Sequence, residues 1–159
     1  MVKDTKFGAE FEGLTQGVLE ELKCKCPLTY IRLYDTKSAR GKFLPPQPGD
    51  FIVASPNGGH LLECKASKEH QSLRSCLASN VEAHQAASHR MWARAGQPCW
   101  FLFHSVMTSE LELWPGLVVG EARAKGAVLN KDNALRVGLD MHTDLLFNTF
   151  GLRGTTNGW

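Results

Sequence analysis

No apolar run in the sequence approaches the length needed to cross a bilayer, and the first residues, Met1 to Lys6, are polar rather than a secretory leader. A soluble intracellular protein with no membrane partner is expected. Cysteine is sparse and odd in number, five residues at 24, 26, 64, 76 and 99, which points to reduced thiols rather than a disulfide framework. Cys24-Lys25-Cys26 is too short for a Cys-x₂-Cys zinc clip. No second pair or His-x₃-His partner follows, and the six histidines form no metal pattern. Net charge is only +2, so composition alone announces no nucleic-acid binder. At 159 residues the chain is long enough for one domain with a core of sheet and helices that needs no staples.

The charge is unevenly spread. Between Lys23 and Lys42 lie Lys23, Lys25, Arg32, Lys37, Arg40 and Lys42 against one acid, Asp35, so this segment carries a local basic excess. It leads directly into the most informative stretch of the chain, Pro48 to Lys65. Phe51 to Ser55 and His60 to Ala66 have the β-branched and aromatic content of strands, and Asn57-Gly58 between them is a strong hairpin signal. With a two-residue loop at Asn57-Gly58, Asp50 falls opposite Lys65 and Ile52 opposite Glu63. Alternation then puts Asp50, Glu63 and Lys65 on one face, with Phe51, Val53, Leu62 and Cys64 on the other. The facing survives any loop of even length.

Two carboxylates within cross-strand distance repel each other, and an all-oxygen pair suits a hard cation such as Mg²⁺. Lys65, two residues beyond Glu63, brings an ammonium beside it. A metal that polarises a phosphodiester and activates water, with a cation next to the developing charge, is the equipment of phosphodiester hydrolysis. A lone Glu-x-Lys proves little, since Glu21-Leu22-Lys23 repeats it in a helical segment with no chemistry attached. The signal is the combination of Pro48-Gly49-Asp50, the hairpin and Glu63-Cys64-Lys65 on a shared face.

These residues resemble the PD-(D/E)XK nuclease superfamily, with one extra residue, Gly49, between proline and aspartate and a thirteen-residue step from Asp50 to Glu63. Within it they are most similar to the Holliday-junction resolvases of archaea, phages and Gram-positive bacteria. Gly8-Ala9-Glu10-Phe11-Glu12 resembles the opening of that family, whose glycine is followed four residues later by an acidic metal-site residue; Glu12 is the candidate and Glu10 its rival. The resemblance covers roughly Gly8 to Trp114. It implies an α/β, restriction-endonuclease-like fold, a central mixed β-sheet flanked by helices in a single domain, with a nuclease core over 1–114 and a C-terminal extension over 115–159. It implies a Mg²⁺-dependent endonuclease, with Mn²⁺ as a substitute, that resolves four-way DNA junctions as a homodimer in the cytoplasm of a bacterial, archaeal or phage-infected cell. Asp50, Glu63 and Glu12 hold the metal in that reading, the Cys64 carbonyl adds an oxygen, and Lys65 assists water attack. Arg32, Lys37, Ser38, Arg40 and Lys42 are the DNA-contact candidates, Ser38 and Arg40 being open alternatives at the branch. His84-Gln85 matches a His-Gln or Gln of the corresponding helix, making Gln85 an accessory candidate. Related repair or restriction-type nucleases share these residues. An idle DNA-binding or assembly module on the same scaffold is the alternative of another class.

The remaining elements follow from pattern. Phe7, Phe11, Leu14, Val18, Leu19 and Leu22 describe a helical stripe over 7–23, and Leu28 to Tyr34 a strand. Asp35 to Gln47 has no periodicity and is expected to be a loop. Ala66 to Ala78 is weakly patterned. Ser79-Asn80-Val81-Glu82 is a capping-box pattern that starts a helix ended by Gly96 and Pro98. Cys99 to Met107 suits a central strand, Glu110 to Trp114 its neighbour, and Pro115-Gly116 the start of a short helix to Lys125. Asn130 to Asn133 is a turn, and the tail from Gly151 is expected to fray.

Overall fold

A computed structural model describes residues 5–34 and 46–152. Apolar residues at helical spacing make α1, Thr5–Lys25, one-sided, and Lys23 and Lys25 in its last turn complement the helix dipole. The buried stripe runs Phe11, Thr15, Leu19, Leu22 and Cys26, whereas Leu14, expected on it, points outward at 53% exposure. Thr15 can take the inward position because its hydroxyl meets His142 Nε2 at 3.3 Å.

Six strands form one mixed sheet in chain order: β1 Thr29–Arg32, β2 Phe51–Ser55, β3 Gly58–Ser67, β4 Cys99–Ser105, β5 Glu110–Pro115 and β6 Leu135–Gly138. Every neighbouring pair is antiparallel except β3 and β4, which run parallel. A parallel pair needs a crossover. Residues 68–98 supply it, with a 3₁₀ turn at Leu73–Cys76, the single turn α2 at Leu77–Asn80, and α3 at Ala83–Arg94. α4, Gly116–Lys125, packs beside α3, and α5, His142–Thr149, beside α1.

The sheet is therefore covered twice. Phe51, Val53, Leu62, Cys64 and Leu102 meet α1 and α5 on one face, while Phe101, Phe103 and Trp114 meet the crossover and α4 on the other. The result is a single α/β domain of a mixed sheet flanked by helices. β6, α5 and the residues as far as Leu152 belong to it, since Leu145, Leu146, Phe150 and Leu152 join the core that contains Phe11 and Leu62.

Two expectations shift along the chain. The hairpin loop is Pro56-Asn57 rather than Asn57-Gly58, because Ser55 pairs with Gly58, Ile52 with Leu61 and Phe51 with Leu62. Gly58 takes the positive φ of +123° that completes the turn. The partners move by two and parity stays even, so Phe51, Val53, Leu62 and Cys64 still share one core. Helix α3 begins at Ala83 with Glu82 as N-cap, not at Ser79, and its capping box joins Glu82 to Gln85. Leu73, Cys76, Leu77 and Val81 are all buried in the segment ahead of α3, where the chain runs through the 3₁₀ turn and α2 before Glu82. Glu112 secures it from β5, accepting from Ser72 Oγ, Leu73 N and Trp114 Nε1 at 2.9–3.1 Å and from Arg136 Nη2 at 2.6 Å. All five cysteines are free, and no helix among the described residues is long and apolar enough to cross a membrane.

Burial holds three histidines far below their ordinary range, His60 and His142 at about 4 and His89 at about 3, so all are neutral in the fold. An unfolded chain takes up these protons near pH 6.5, about two units or more above the folded protein. Stability is thus fully present above about pH 6.5 and lost as pH falls toward about 4, by at most about 1.4 kcal/mol per pH unit for each histidine. Urea unfolding midpoints at stepped pH should show His142→Gln losing less stability than wild type between pH 6.5 and 4.5. Parallel curves would refute the burial account of His142.

Candidate active site

β3 is paired on both edges and covered on both faces, which is why Leu61, Leu62, Glu63 and Cys64 are all buried in sequence rather than alternating. Asp50 enters just ahead of β2. Its N–H donates at 3.0 Å to Leu62 O, the carbonyl of the residue already paired with Phe51, so Asp50 leaves the regular ladder at the head of β2 rather than lying opposite Lys65. Asp50 Oδ2 accepts the Cys64 N–H at 2.7 Å. Because the N–H and C=O of one strand residue project to the same edge, the Cys64 carbonyl faces this side as well. Gly49 permits the approach: a Cβ there would lie 2.8 Å from Leu61 Cδ1 and 3.2 Å from Leu62 O.

Glu63 is only 3% exposed, and its partners are one-sided. Lys65 Nζ lies 3.1 Å from Glu63 Oε1, and Gln85 Nε2 donates to the same oxygen at 2.9 Å. Among the described residues, Glu63 Oε2 and Asp50 Oδ1 take no donor. Burial, then the charges of Glu63 and Glu12, pushes the Asp50 carboxyl well above the ordinary carboxylate range, and burial also raises Glu63 against the pull of Lys65. For Lys65, burial opposes the charge but Glu63 and Asp50 outweigh it, so its ammonium is held on.

The other sequence candidates fall at different distances from this centre. Glu12 acts electrostatically on Asp50 and Glu63, yet its Oε2 sits 3.3 Å from Arg32 Nη2, and Arg32 also donates to Gln16 Oε1. The Arg32 guanidinium lies over the Tyr34 and Phe51 rings at 5.3 and 6.0 Å, so β1 presents it in a fixed pose. Glu10 is exposed. Lys37, Ser38, Arg40 and Lys42 lie outside the described residues, as does most of the expected loop around them. Gln85 comes to the site from the first turn of α3. Glu82, which the sequence suggested only as a helix cap, adds its negative charge to the field at Glu63 and Lys65. Its Glu-x-x-Gln spacing to Gln85 was the available signal.

A Ser–His pair in the hairpin has a different role. Ser55 Oγ is 3.1 Å from His60 Nε2, but Trp100 Nε1 donates to His60 Nδ1 at 3.0 Å. The single proton of the neutral ring therefore sits on Nε2, facing Asn57 Oδ1 at 2.7 Å, and no lone pair is left there to accept a serine proton. The network locks the turn.

Whether these residues suit a divalent ion depends on the donor set. Among the described residues no three His, Cys, Asp or Glu side chains gather into a closed metal cage. Two desolvated carboxylates, each with an oxygen free of donors, and a carbonyl on the same edge do suit a hard ion that keeps most of its waters, which is how Mg²⁺ is usually bound.

No protein-family profile matches the chain, and no curated protein does. Among solved structures, Hjc of Archaeoglobus fulgidus, a Holliday junction resolvase from an archaeal hyperthermophile, is similar at 16% identity and a TM-score of 0.46, with 85% of this chain and 91% of that one covered. At that level the likeness decides nothing about chemistry, which rests on the residues above.

Gly49→Ala tests the packing that seats Asp50. The added methyl has backbone on one side, so a loss of about 1–3 kcal/mol is expected from denaturant midpoints, as for other overpacked sites. An unchanged midpoint would show that the Pro48–Asp50 turn is not held against β3.

Proposed function

We propose that this chain is a metal-dependent DNA endonuclease of the PD-(D/E)XK type that resolves four-way junctions. The observation that carries the reading is the close cluster of Asp50, Glu63 and Lys65 at the β2–β3 hairpin, with both carboxyls desolvated and one oxygen of each left open. Asp50, Glu63 and the Cys64 carbonyl would hold Mg²⁺ or Mn²⁺, with Glu12 as a further ligand once released from Arg32. When bound, the ion supplies Lewis-acid polarisation of the phosphodiester and a water made acidic enough to attack.

The chain's own groups do the remaining work. Glu63 keeps Lys65 charged through their ion pair and aims its ammonium beside the open carboxylate oxygens, where charge builds on the phosphate. Gln85 shares the Glu63 oxygen used by Lys65, so the carboxylate cannot rotate without losing both donors. The basic segment from Lys23 to Lys42 would track phosphates of the arms, giving affinity that falls steeply with salt without reading base edges. Two symmetric cuts at a junction need two such sites, which a closed two-fold dimer provides.

Asp50→Asn and Glu63→Gln should each lower cleavage by more than about a hundredfold, beyond the loss usual for merely supporting partners. Junction binding should be kept or tightened, because each change deletes a negative charge facing phosphate. Near wild-type cleavage by either variant would remove the site from contention.

Labelled four-way junction and linear duplex of the same sequence, incubated with Mg²⁺ or with EDTA, test the substrate. Paired nicks in opposed strands of the junction are expected, with Mg²⁺ only, from a protein that sediments as a dimer on that DNA. Equal cutting of duplex would favour a repair or restriction-type nuclease, and binding without cutting would favour the idle module.

A further inference from the structure

The peptide unit joining Val81 to Glu82 is gripped from both ends. Its carbonyl accepts Arg123 Nε–H from α4 at 2.7 Å, and its N–H donates to Gln85 Oε1 at 3.0 Å. In a trans peptide the C=O and N–H point in opposite directions across one plane, so a donor fixed on the carbonyl determines where the N–H points. It also polarises that N–H toward its acceptor.

The consequence reaches the site through the Gln85 amide. With Oε1 taken by the Glu82 N–H, only Nε2 remains to face Glu63, and it donates to Oε1 there at 2.9 Å. A flipped amide would set NH₂ against an N–H and a carbonyl oxygen against a carboxylate, both repulsive. Lys65 binds the same Glu63 oxygen, so the relay helps reserve Oε2 for a cation.

Arg123 is brought to this peptide by close packing of two helices. α4 runs antiparallel along α3: Gly116 lies by His89, Gly120 by Ala86 and Arg90, and Arg123 by Val81. At Gly120 a Cβ would meet the Ala86 carbonyl oxygen at 2.7 Å, so only glycine lets α4 come this near. Nothing in the pattern of the sequence marks Arg123, which lies beyond the stretch that resembles the resolvases.

We propose that Arg123 is a positioning residue for Glu63, acting through the Val81–Glu82 peptide and the Gln85 side-chain amide. The proposal gives the C-terminal part of the chain a task in the site, and its functional weight rests on Glu63 being a metal ligand.

The test compares full-length wild type, Arg123→Met, Gln85→Ala and the double variant, with two readouts. The first needs neither metal nor DNA: the ¹H–¹⁵N resonance of the Gln85 side-chain amide, assigned by its loss in Gln85→Ala. It should move to the position of a solvent-exposed glutamine in Arg123→Met. The second is Mn²⁺ affinity by calorimetry, expected to weaken about tenfold in each single variant, the scale typical of partners that orient a ligand. The double variant should be no weaker than Gln85→Ala alone. An unmoved Gln85 resonance, or an Arg123→Met effect that adds in full to Gln85→Ala, overturns the proposal and leaves Arg123 as a helix tie. If Arg123→Met does not fold, Glu82→Pro takes its place, with Glu82→Ala controlling for the lost carboxylate. Glu82 has φ −77°, which proline adopts, and the change deletes the relaying N–H. Displacement of the amide resonance in Glu82→Pro but not in Glu82→Ala supports the relay, and no displacement sinks it. Absence of Mn²⁺ binding in wild type would count against the metal-dependent reading alone, since the amide resonance decides the relay by itself.

Discussion

Placing Glu63 and Lys65 on a strand covered from both sides sets the terms for everything near them. An isolated charge there is strongly disfavoured, and a buried pair is tolerated only with good geometry and further hydrogen bonds on the remaining polar atoms. Glu63 meets that condition on one oxygen only, through Lys65 and Gln85. Asp50 is likewise tied by one oxygen to the Cys64 amide. Burial first, then the nearby carboxylates, raises the affinity of both for protons. Such a pair is a poor structural device and a good receptor for a hard cation.

The scaffold makes this arrangement rigid. β3 is hydrogen-bonded to β2 and β4, so Glu63 and Lys65 cannot slip in register without flipping apolar neighbours such as Leu62 and Cys64 out of the core. The parallel β3–β4 step forces a crossover, and that crossover carries α3 with Gln85 back over the same face. Position on the sheet and the supporting amide therefore come from one topological feature.

Much of this was legible in the amino-acid order because alternation is a parity rule. The shared face of Phe51, Val53, Leu62 and Cys64 needed only an even hairpin loop, so it survived the shift of the turn from Asn57-Gly58 to Pro56-Asn57. The neighbour relation did not survive: Asp50 binds the Leu62 carbonyl and the Cys64 amide instead of facing Lys65, because turn geometry, not pattern, sets register. β4 and β5 followed the apolar runs on either side of residues 108–109, and α4 its start signal at Pro115-Gly116. The start of α3 was misplaced because Ser79 and Glu82 are both acceptable caps, and burial of Leu77 and Val81 chose between them. β6 and α5 are short, with four and eight residues, too few to develop a periodicity. Glu112 and Arg123 gave no local signal of their ties to the crossover, since Ser72, Leu73 and Val81 lie 39–42 residues away in sequence.

The central claim is that Asp50 and Glu63 jointly hold a divalent ion. Crystals of the protein soaked in Mn²⁺ and measured at a wavelength where manganese scatters anomalously test it most directly. A peak at about 2.0–2.2 Å from one oxygen of each carboxylate, close to the spacing of hard-ion sites, is the predicted result. No peak at that position, in crystals whose dissolved protein cuts junctions with Mn²⁺, would contradict it.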